Sequence, residues 1–339
     1  MDMAEKIGQQ TLRLDHAVSV GAYAATGGQK EGEGPLGGGF DKISSDAYFG
    51  QDSWEKAETA MLRECLQICL GKWDCPSRHP DLLLGGDLLN QCISSAFAVK
   101  DCAEPYLGLY GACSTMAEGL MLAALLIDGG GFGSACALTG SHFCTAERQY
   151  RFPLEYGGQR TPTAQWTVTG AGAALLKRGH GQLRVTYVTP GRIVDAGVTD
   201  AFNMGAAMAP AAFDTITAHF KDTGRDFGDY DAVFTGDLGA IGRDILQDLL
   251  QKDGRSPGMH YMDCGVLLYD LKTQDVHAGG SGCGCSAAVL GAHILPAMER
   301  GVWKRVLFAG TGALMSPLSC QQGCAIPGIC HAVAIERED

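Results

Sequence analysis

Residues 113–141 read CSTMAEGLMLAALLIDGGGFGSACALTGS, and residues 285–313 read CSAAVLGAHILPAMERGVWKRVLFAGTGA. Each stretch opens Cys-Ser and runs through a helix-length apolar segment. Each reaches a glycine after the same 16 positions (Gly129, Gly301) and ends in a strand carrying Thr-Gly, Thr139-Gly140 and Thr311-Gly312, at a constant offset of 172. A second pair, DLLLGGDLL from Asp81 and DAVFTGDLG from Asp231, repeats a short apolar strand ending in Gly-Asp-Leu at an offset of 150. The second copy therefore carries 22 more residues between the two blocks. A period this long is a duplicated domain rather than a solenoid, whose repeats run to roughly 20–50 residues.

The repeated helices show how the copies pack. Glu118 is the only charged residue between Ser114 and Ile127, and His293 the only titratable one between Ser286 and Met298. A helix apolar on all sides is buried on all sides. Alternation of strands and helices predicts an α/β protein with largely parallel sheets covered by helices. Two such sheets with the apolar helices between them make a duplicated five-layer αβαβα arrangement. The seam falls near Lys177–Gly181, dividing the chain into halves at 1–178 and 179–339.

Composition bounds the function. The 339 residues are 46% hydrophobic and carry a net charge of −12 without a long basic run, which argues against nucleic acid as a partner. Met1–Gly28 has no apolar core of signal-peptide length. Leu120–Ile127 falls far short of the ~20 residues that cross a bilayer. Fourteen cysteines in a chain of this size, with no export signal, are expected to be reduced and mostly buried. Cys320, Cys324, Cys330 and His331 are the one set that invites a zinc reading. No CxxC pair supports it, and no metal site is expected.

GACSTMAEG, residues 111–119, sets Cys113 among small residues where a strand turns into a helix, the setting in which enzymes mount a nucleophilic thiol. That mount, the duplicated halves and the Gly-rich final strand resemble the thiolase-like superfamily. Within it the chain is similar to the family of stage V sporulation AD proteins. The motifs are EGPLGGGFD (33–41 without its leading pair, 31–41 with it), GQDSWEKAE (50–58), GGDLLNQ (85–91), GACST (111–115) and SHFCTAERQYRFPLEYGGQ (141–159). They continue with VTGAGA (168–173), NMGAAMAPAA (203–212), TGDLG (235–239), DCG (263–265) and AGGSGCGCSA (278–287).

The resemblance implies a role in spore-forming bacteria, in a complex that loads dipicolinic acid into the developing spore. It implies binding of dipicolinate or calcium dipicolinate at the forespore inner membrane, peripherally, beside other components of the stage V sporulation A membrane complex. It also implies a homodimer, and no cofactor.

Condensing enzymes of this fold pair the cysteine with two histidines, or a histidine and an asparagine, that move protons and stabilise the oxyanion. The matching positions here read Thr235-Gly236 and Cys283-Gly284-Cys285. Neither partner is present, so the chain reads as a non-catalytic relative. Asp237 and Asp263 nearby would favour the protonated thiol, while the helix start would favour the thiolate. An acyltransferase using Cys113 and a ligand-free scaffold are the competing readings.

For a flat aromatic dicarboxylate, the expected contacts are Cys113 and Ser114 at one helix start, with Gly282 and Gly284 at its counterpart near Cys285. Ser141 and His142 follow the repeated strand, and Thr235 and Asp237 stand where a catalytic histidine would fall. Arg148, Arg151 and Arg160 are further cationic candidates, or else anchors through Glu147 and Glu155. Asp87 is the first-copy counterpart of Asp237.

Overall fold

The computed structural model describes residues 4–150 and 159–338. In the first half the strands are β1 (Leu12–Gly28), β2 (Leu83–Gly86), β3 (Tyr106–Gly108), β4 (Ser134–Ser141) and, after a two-residue strand β5 (Trp166–Thr167), β6 (Gly170–Arg178). The second half supplies β7 (Leu183–Thr189), β8 (Ala232–Thr235), β9 (Tyr261–Asp263), the two-residue β10 (Gly280–Ser281), β11 (Arg305–Ala313) and β12 (Gly328–Arg337). Their spatial orders are β1-β6-β4-β2-β3 and β7-β12-β11-β8-β9. In each set the first two pairings are antiparallel and the last two parallel. The duplication legible in two sequence blocks thus extends to every strand of the two sets.

Two expectations are corrected. The sheets are mixed, because β6 and β12 enter between neighbours that run the opposite way. They are also not separate: β1 pairs with β7 through Leu12–Val188 and Val18–Val185. That joins both sets, with short flanking strands at Glu5–Lys6 and Lys42–Ser44, into one hydrogen-bonded sheet of twelve strands. β1, at 17 residues, is long enough to serve both neighbours.

The layers follow from period-two alternation. Leu83, Cys136 and Leu138 face outward onto α1 (Trp54–Lys72), which buries Met61, Leu62, Cys65 and Leu66 against them, with α2 (Ile93–Val99) adding Ala98 and Val99. Leu82, Leu84, Ala135 and Ala137 face inward. In the second half Val233 and Leu307 face α5 (Met204–Thr223) and α6 (Gly239–Lys252), while Phe234, Val306 and Phe308 face the centre.

Between the sheets lie α3 (Thr115–Asp128) and α7 (Cys283–Val289), the latter continuing through Leu290–Glu299. They share one core through Met116, Leu120, Cys285, Val289 and Ile294. Each such side chain contributes about 1.5–3 kcal/mol by leaving water. The five-layer reading holds. The helix starts differ by two residues from the aligned blocks, since α7 begins at Cys283 rather than near Cys285.

Close approach at the centre depends on small residues. A Cβ at Gly312 of β11 would sit 2.4 Å from the Gly111 carbonyl oxygen. The Thr-Gly repeat therefore admits the turn that carries Cys113.

All fourteen cysteines are free thiols, eight of them buried. Among the described residues no three His, Cys, Asp or Glu side chains are placed to share a metal ion. No helix among them is long and apolar enough to cross a membrane.

Candidate functional site

Cys113 sits in a 3₁₀ turn, Ala112–Ser114, that leads into α3. Ala112 is held at φ +49°, a left-handed conformation that costs a non-glycine residue roughly 1–2 kcal/mol. The turn is fixed by its own hydrogen bonds. The Ser114 hydroxyl and N–H both donate to the Gly111 carbonyl, at 2.7 and 3.0 Å, and the Thr115 hydroxyl donates to Ala112 at 2.7 Å. Ser114 is buried and its N–H is already used, so this helix start does not offer it to a guest as the sequence suggested.

Cys113 instead lines a narrow cleft with about 30 Å³ of room. Its walls are apolar: Leu88, Ala146, Met204, Ala313 and Met315. Polar edges come from Thr167, Ser281, the Gly282 backbone and the hydroxyls of Tyr110 and Tyr150. Tyr150, near the end of α4 (Phe143–Tyr150), also donates to the Leu88 carbonyl. None of the described residues lining this cleft is His, Asn, Lys or Arg.

Asp237 lies under the cleft, fully buried. Its Oδ2 accepts from the Gly282 N–H at 2.9 Å and the Ser281 hydroxyl at 3.2 Å, and its Oδ1 accepts from the Thr311 hydroxyl at 2.8 Å. The Cys113 thiol lies within reach of the charge of this carboxylate. Burial raises the Asp237 pKa to about 7, against the pull of these donors and with a contribution from Asp263. Burial, the Asp237 charge and nearby Cys283 together push the Cys113 thiol well above its ordinary value, and the Gly282 N–H only partly offsets them. Burial first and the carboxylate's charge second thus favour the protonated thiol.

The other anticipated residues are placed apart. Thr235 does not reach the cleft; its hydroxyl donates to Asp263 at 2.7 Å. Asp263 in turn accepts from the N–H groups of Leu238, Gly239 and Val266, and burial raises its pKa to about 6. Ser141 donates to the Val168 carbonyl at 2.7 Å and accepts the Gly284 N–H at 3.1 Å, so the first turn of α7 is occupied by protein. Gly284 packs its Cα where a Cβ would lie 2.2 Å from the Gly170 carbonyl oxygen.

His142 faces a second cavity, on the Trp166 side of β5, whereas Thr167 faces the Cys113 cleft. One of its ring nitrogens pairs with the Ala47 carbonyl at 2.8 Å and the other accepts from Cys144 at 3.2 Å, which fixes a neutral ring. Burial lowers its pKa in agreement.

Of the arginines, Arg148 pairs with Glu55, and Arg160 pairs with Asp275 at 2.8 Å. Arg151 and Glu155 lie outside the described residues. Asp87 caps its own turn, taking the Leu89 and Ser95 N–H groups at 2.8 and 2.7 Å.

Sequence reading thus located Cys113, Gly282 and Asp237 but missed the two tyrosines, Met204 and Met315. No local pattern marks those residues. Thr311 was in view as part of the Thr-Gly repeat, where its counterpart Thr139 bridges to the Gly86 carbonyl at 2.6 Å.

Comparison with known proteins agrees with this geometry at two levels. The family model described as stage V sporulation protein AD (SpoVAD) matches residues 8–336. A stage V sporulation protein AD from Bacillus subtilis (strain 168) is 44% identical over 330 residues, covering 97% of each chain.

Among solved structures, human mitochondrial 3-ketoacyl-CoA thiolase in complex with CoA is similar at TM-score 0.60 and 12% identity, over 96% of this chain and 99% of the other. Xanthomonas campestris OleA bound to cerulenin matches at TM-score 0.61 and 13% identity, over 94% and 98%. The 3-oxoacyl-[acyl-carrier-protein] synthase III of Aquifex aeolicus VF5 matches at 0.58 and 12%, over 94% and 99%. At these identities the likeness gives the thiolase-like fold alone.

Proposed function

The chain belongs to the stage V sporulation protein AD family, and on that premise we propose that it is a non-catalytic thiolase-fold protein that binds dipicolinic acid, or its calcium chelate, for uptake into the developing spore. The observation that carries this reading is that buried Asp237, whose charge acts on Cys113, takes the Gly282 N–H at 2.9 Å and the Ser281 hydroxyl at 3.2 Å. A nucleophile needs a base that takes its proton and donors that face the developing oxyanion. Here the neighbouring group is an acid whose charge opposes the thiolate, and the nearest donors, Ser281 and Gly282, are turned toward that acid. The elbow that would present a nucleophile survives as the wall of a narrow cleft. Its apolar sides suit a flat ring, and its tyrosine hydroxyls suit the ring's oxygens.

The apolar walls, together with the lack of cationic side chains among the described lining residues, favour the neutral chelate, in which calcium balances both carboxylates. Calcium takes oxygen ligands, and the guest brings its own. The protein acts without a cofactor and sits peripherally at the forespore inner membrane, held by other components of the stage V sporulation A complex. It is a homodimer joined at β3. That strand ends the sheet, and beside its open edge Leu107, Ile93 and Phe97 are 45, 41 and 49% exposed.

Calorimetric titration with dipicolinate, with and without calcium, tests the binding. Intact-mass analysis after incubation with acyl-CoA tests the absence of acyl transfer. Saturable binding without a covalent adduct is the expected result. An adduct abolished by Cys113→Ala would establish an acyltransferase instead. No binding and no adduct would leave a scaffold.

A further inference from the structure

We propose that the cavity on the Trp166 side of β5 is a second ligand site, taking a small monocarboxylate built on one flat apolar ring, with its carboxylate on Lys30. The proposal stands on this cavity and holds whatever occupies the Cys113 cleft. β5 and β10 form a two-stranded partition, Trp166 paired with Gly280 and Thr167 with Ser281. Successive side chains of a strand point to opposite faces. Thr167 and Ser281 therefore border the cleft, while Trp166 borders the second cavity.

The second cavity has about 170 Å³ of room, against about 30 Å³ over Cys113. An apolar cavity of about 150 Å³ accepts one benzene ring, so a single ring sets the size of the guest. The walls suit a ring. Phe143 lies flat against Trp166, with centroids 3.7 Å apart and planes 9° from parallel. His142 adds a third ring, and its two nitrogens are already taken by the Ala47 carbonyl and the Cys144 N–H. It meets a guest through carbon rather than through a hydrogen bond.

The cation comes from the other face of the indole. Lys30 Nζ lies 3.8 Å from the Trp166 ring centroid and the Arg160 guanidinium carbon 4.8 Å. Both side chains donate to the Asp275 carbonyl at 3.0 Å, but the Asp275 carboxylate pairs with Arg160. Of the two cations, Lys30 is the one that lines the cavity. An ammonium carries three N–H donors, and the Asp275 carbonyl takes one. Burial lowers the Lys30 pKa and Arg160 adds to that, against the pull of Asp275. A carboxylate guest supplies the charged acceptor that such an ammonium favours. Glu31 also borders the cavity, but its carboxyl is held by the Tyr269 hydroxyl and the Thr169 N–H, and burial raises its pKa.

Benzoate is the probe, and benzamide, of the same shape without the charge, is its control. Cys144 borders this cavity and Cys113 borders the cleft, so the two thiols report on the two compartments. In calorimetric titration benzoate is expected to saturate the wild-type protein and to bind at least about fivefold more tightly than benzamide. In iodoacetamide mapping at pH 8, saturating benzoate is expected to slow modification of Cys144 about fivefold or more and to leave Cys113 unchanged. Lys30→Gln is expected to bring benzoate and benzamide within about twofold of each other. Ala47→Trp, at an exposed position on the rim, is expected to close the mouth and abolish binding of both. No saturation up to about 10 mM overturns the proposal. So does benzoate that shields Cys113 instead of Cys144, or that binds Lys30→Gln as tightly as the wild type.

Discussion

Asp237 Oδ2 accepts the Gly282 N–H at 2.9 Å, and the same buried carboxyl holds the Ser281 and Thr311 hydroxyls while its charge acts on the Cys113 thiol. Three donors from two segments, Ser281–Gly282 and Thr311, converge on one acid whose charge faces the first helix start. The same contacts quench the chemistry that the helix start would otherwise support.

Thiol reactivity follows from that burial and charge. Cys113 is raised by burial and by the Asp237 charge, whereas Cys75, on the surface, is lowered by hydrogen bonds from Ser77. Alkylation follows thiolate fraction and access. At pH 7.5 iodoacetamide is expected to modify Cys75 at least about tenfold faster than Cys113, read by peptide mass mapping. A Cys113 that reacts first would mean an activated nucleophile.

The pH dependence of stability has a definite sign. The folded pKa of Asp237 is about 7, and an exposed aspartate has 3.8. Between these values the folded chain holds a proton that the unfolded chain has released, so stability falls as pH rises from about 4 to 7 and then levels. The slope approaches about 1.4 kcal/mol per pH unit for one such group. Asp237→Asn removes this contribution. Its stability relative to the wild type is therefore expected to improve steadily from pH 5 to 7 in urea unfolding. A constant difference across that range would mean that Asp237 is already ionised in the fold.

Gly282 combines a φ of +97° with a Cβ position 2.7 Å from the Ser141 hydroxyl oxygen. Gly282→Ala is expected to cost roughly 1–3 kcal/mol in unfolding measurements and to displace the N–H that meets Asp237. A neutral substitution would show that the loop before α7 relaxes freely.

The open edge at β3 predicts association. Light scattering is expected to give twice the 35.7 kDa chain mass, and Leu107→Lys is expected to return it to a monomer, because a charge on an edge strand opposes pairing. A monomeric wild type would place the interface elsewhere or remove it.

The fold was legible because the duplication left its mark in blocks of constant offset and in two helices nearly free of charge. Sheet direction was not, since apolar runs such as AVFT and GAGAALL read alike in parallel and antiparallel neighbours, and only the spatial order decides. In the site, Cys113, Gly282 and Asp237 stood out through the turn, the glycine-rich run 279–284 and the repeated Gly-Asp-Leu. His142 and Thr235 occupied equally suggestive positions at strand ends, but side chains there diverge to opposite faces. His142 went to the Ala47 carbonyl and Thr235 to Asp263. Tyr110, Tyr150, Met204 and Met315 converge on the cleft from four separate segments, and nothing in their neighbours announces it.

The central claim is that the guest occupies the cleft over Cys113. Footprinting tests it most directly: alkylation of Cys113 and Cys75 by iodoacetamide, followed with and without saturating calcium dipicolinate. The account predicts at least about tenfold slower modification of Cys113 with the ligand bound, as expected for a thiol whose access is blocked, and no change at Cys75. Calorimetric binding that leaves the Cys113 rate unchanged would put the ligand outside this cleft and contradict the account.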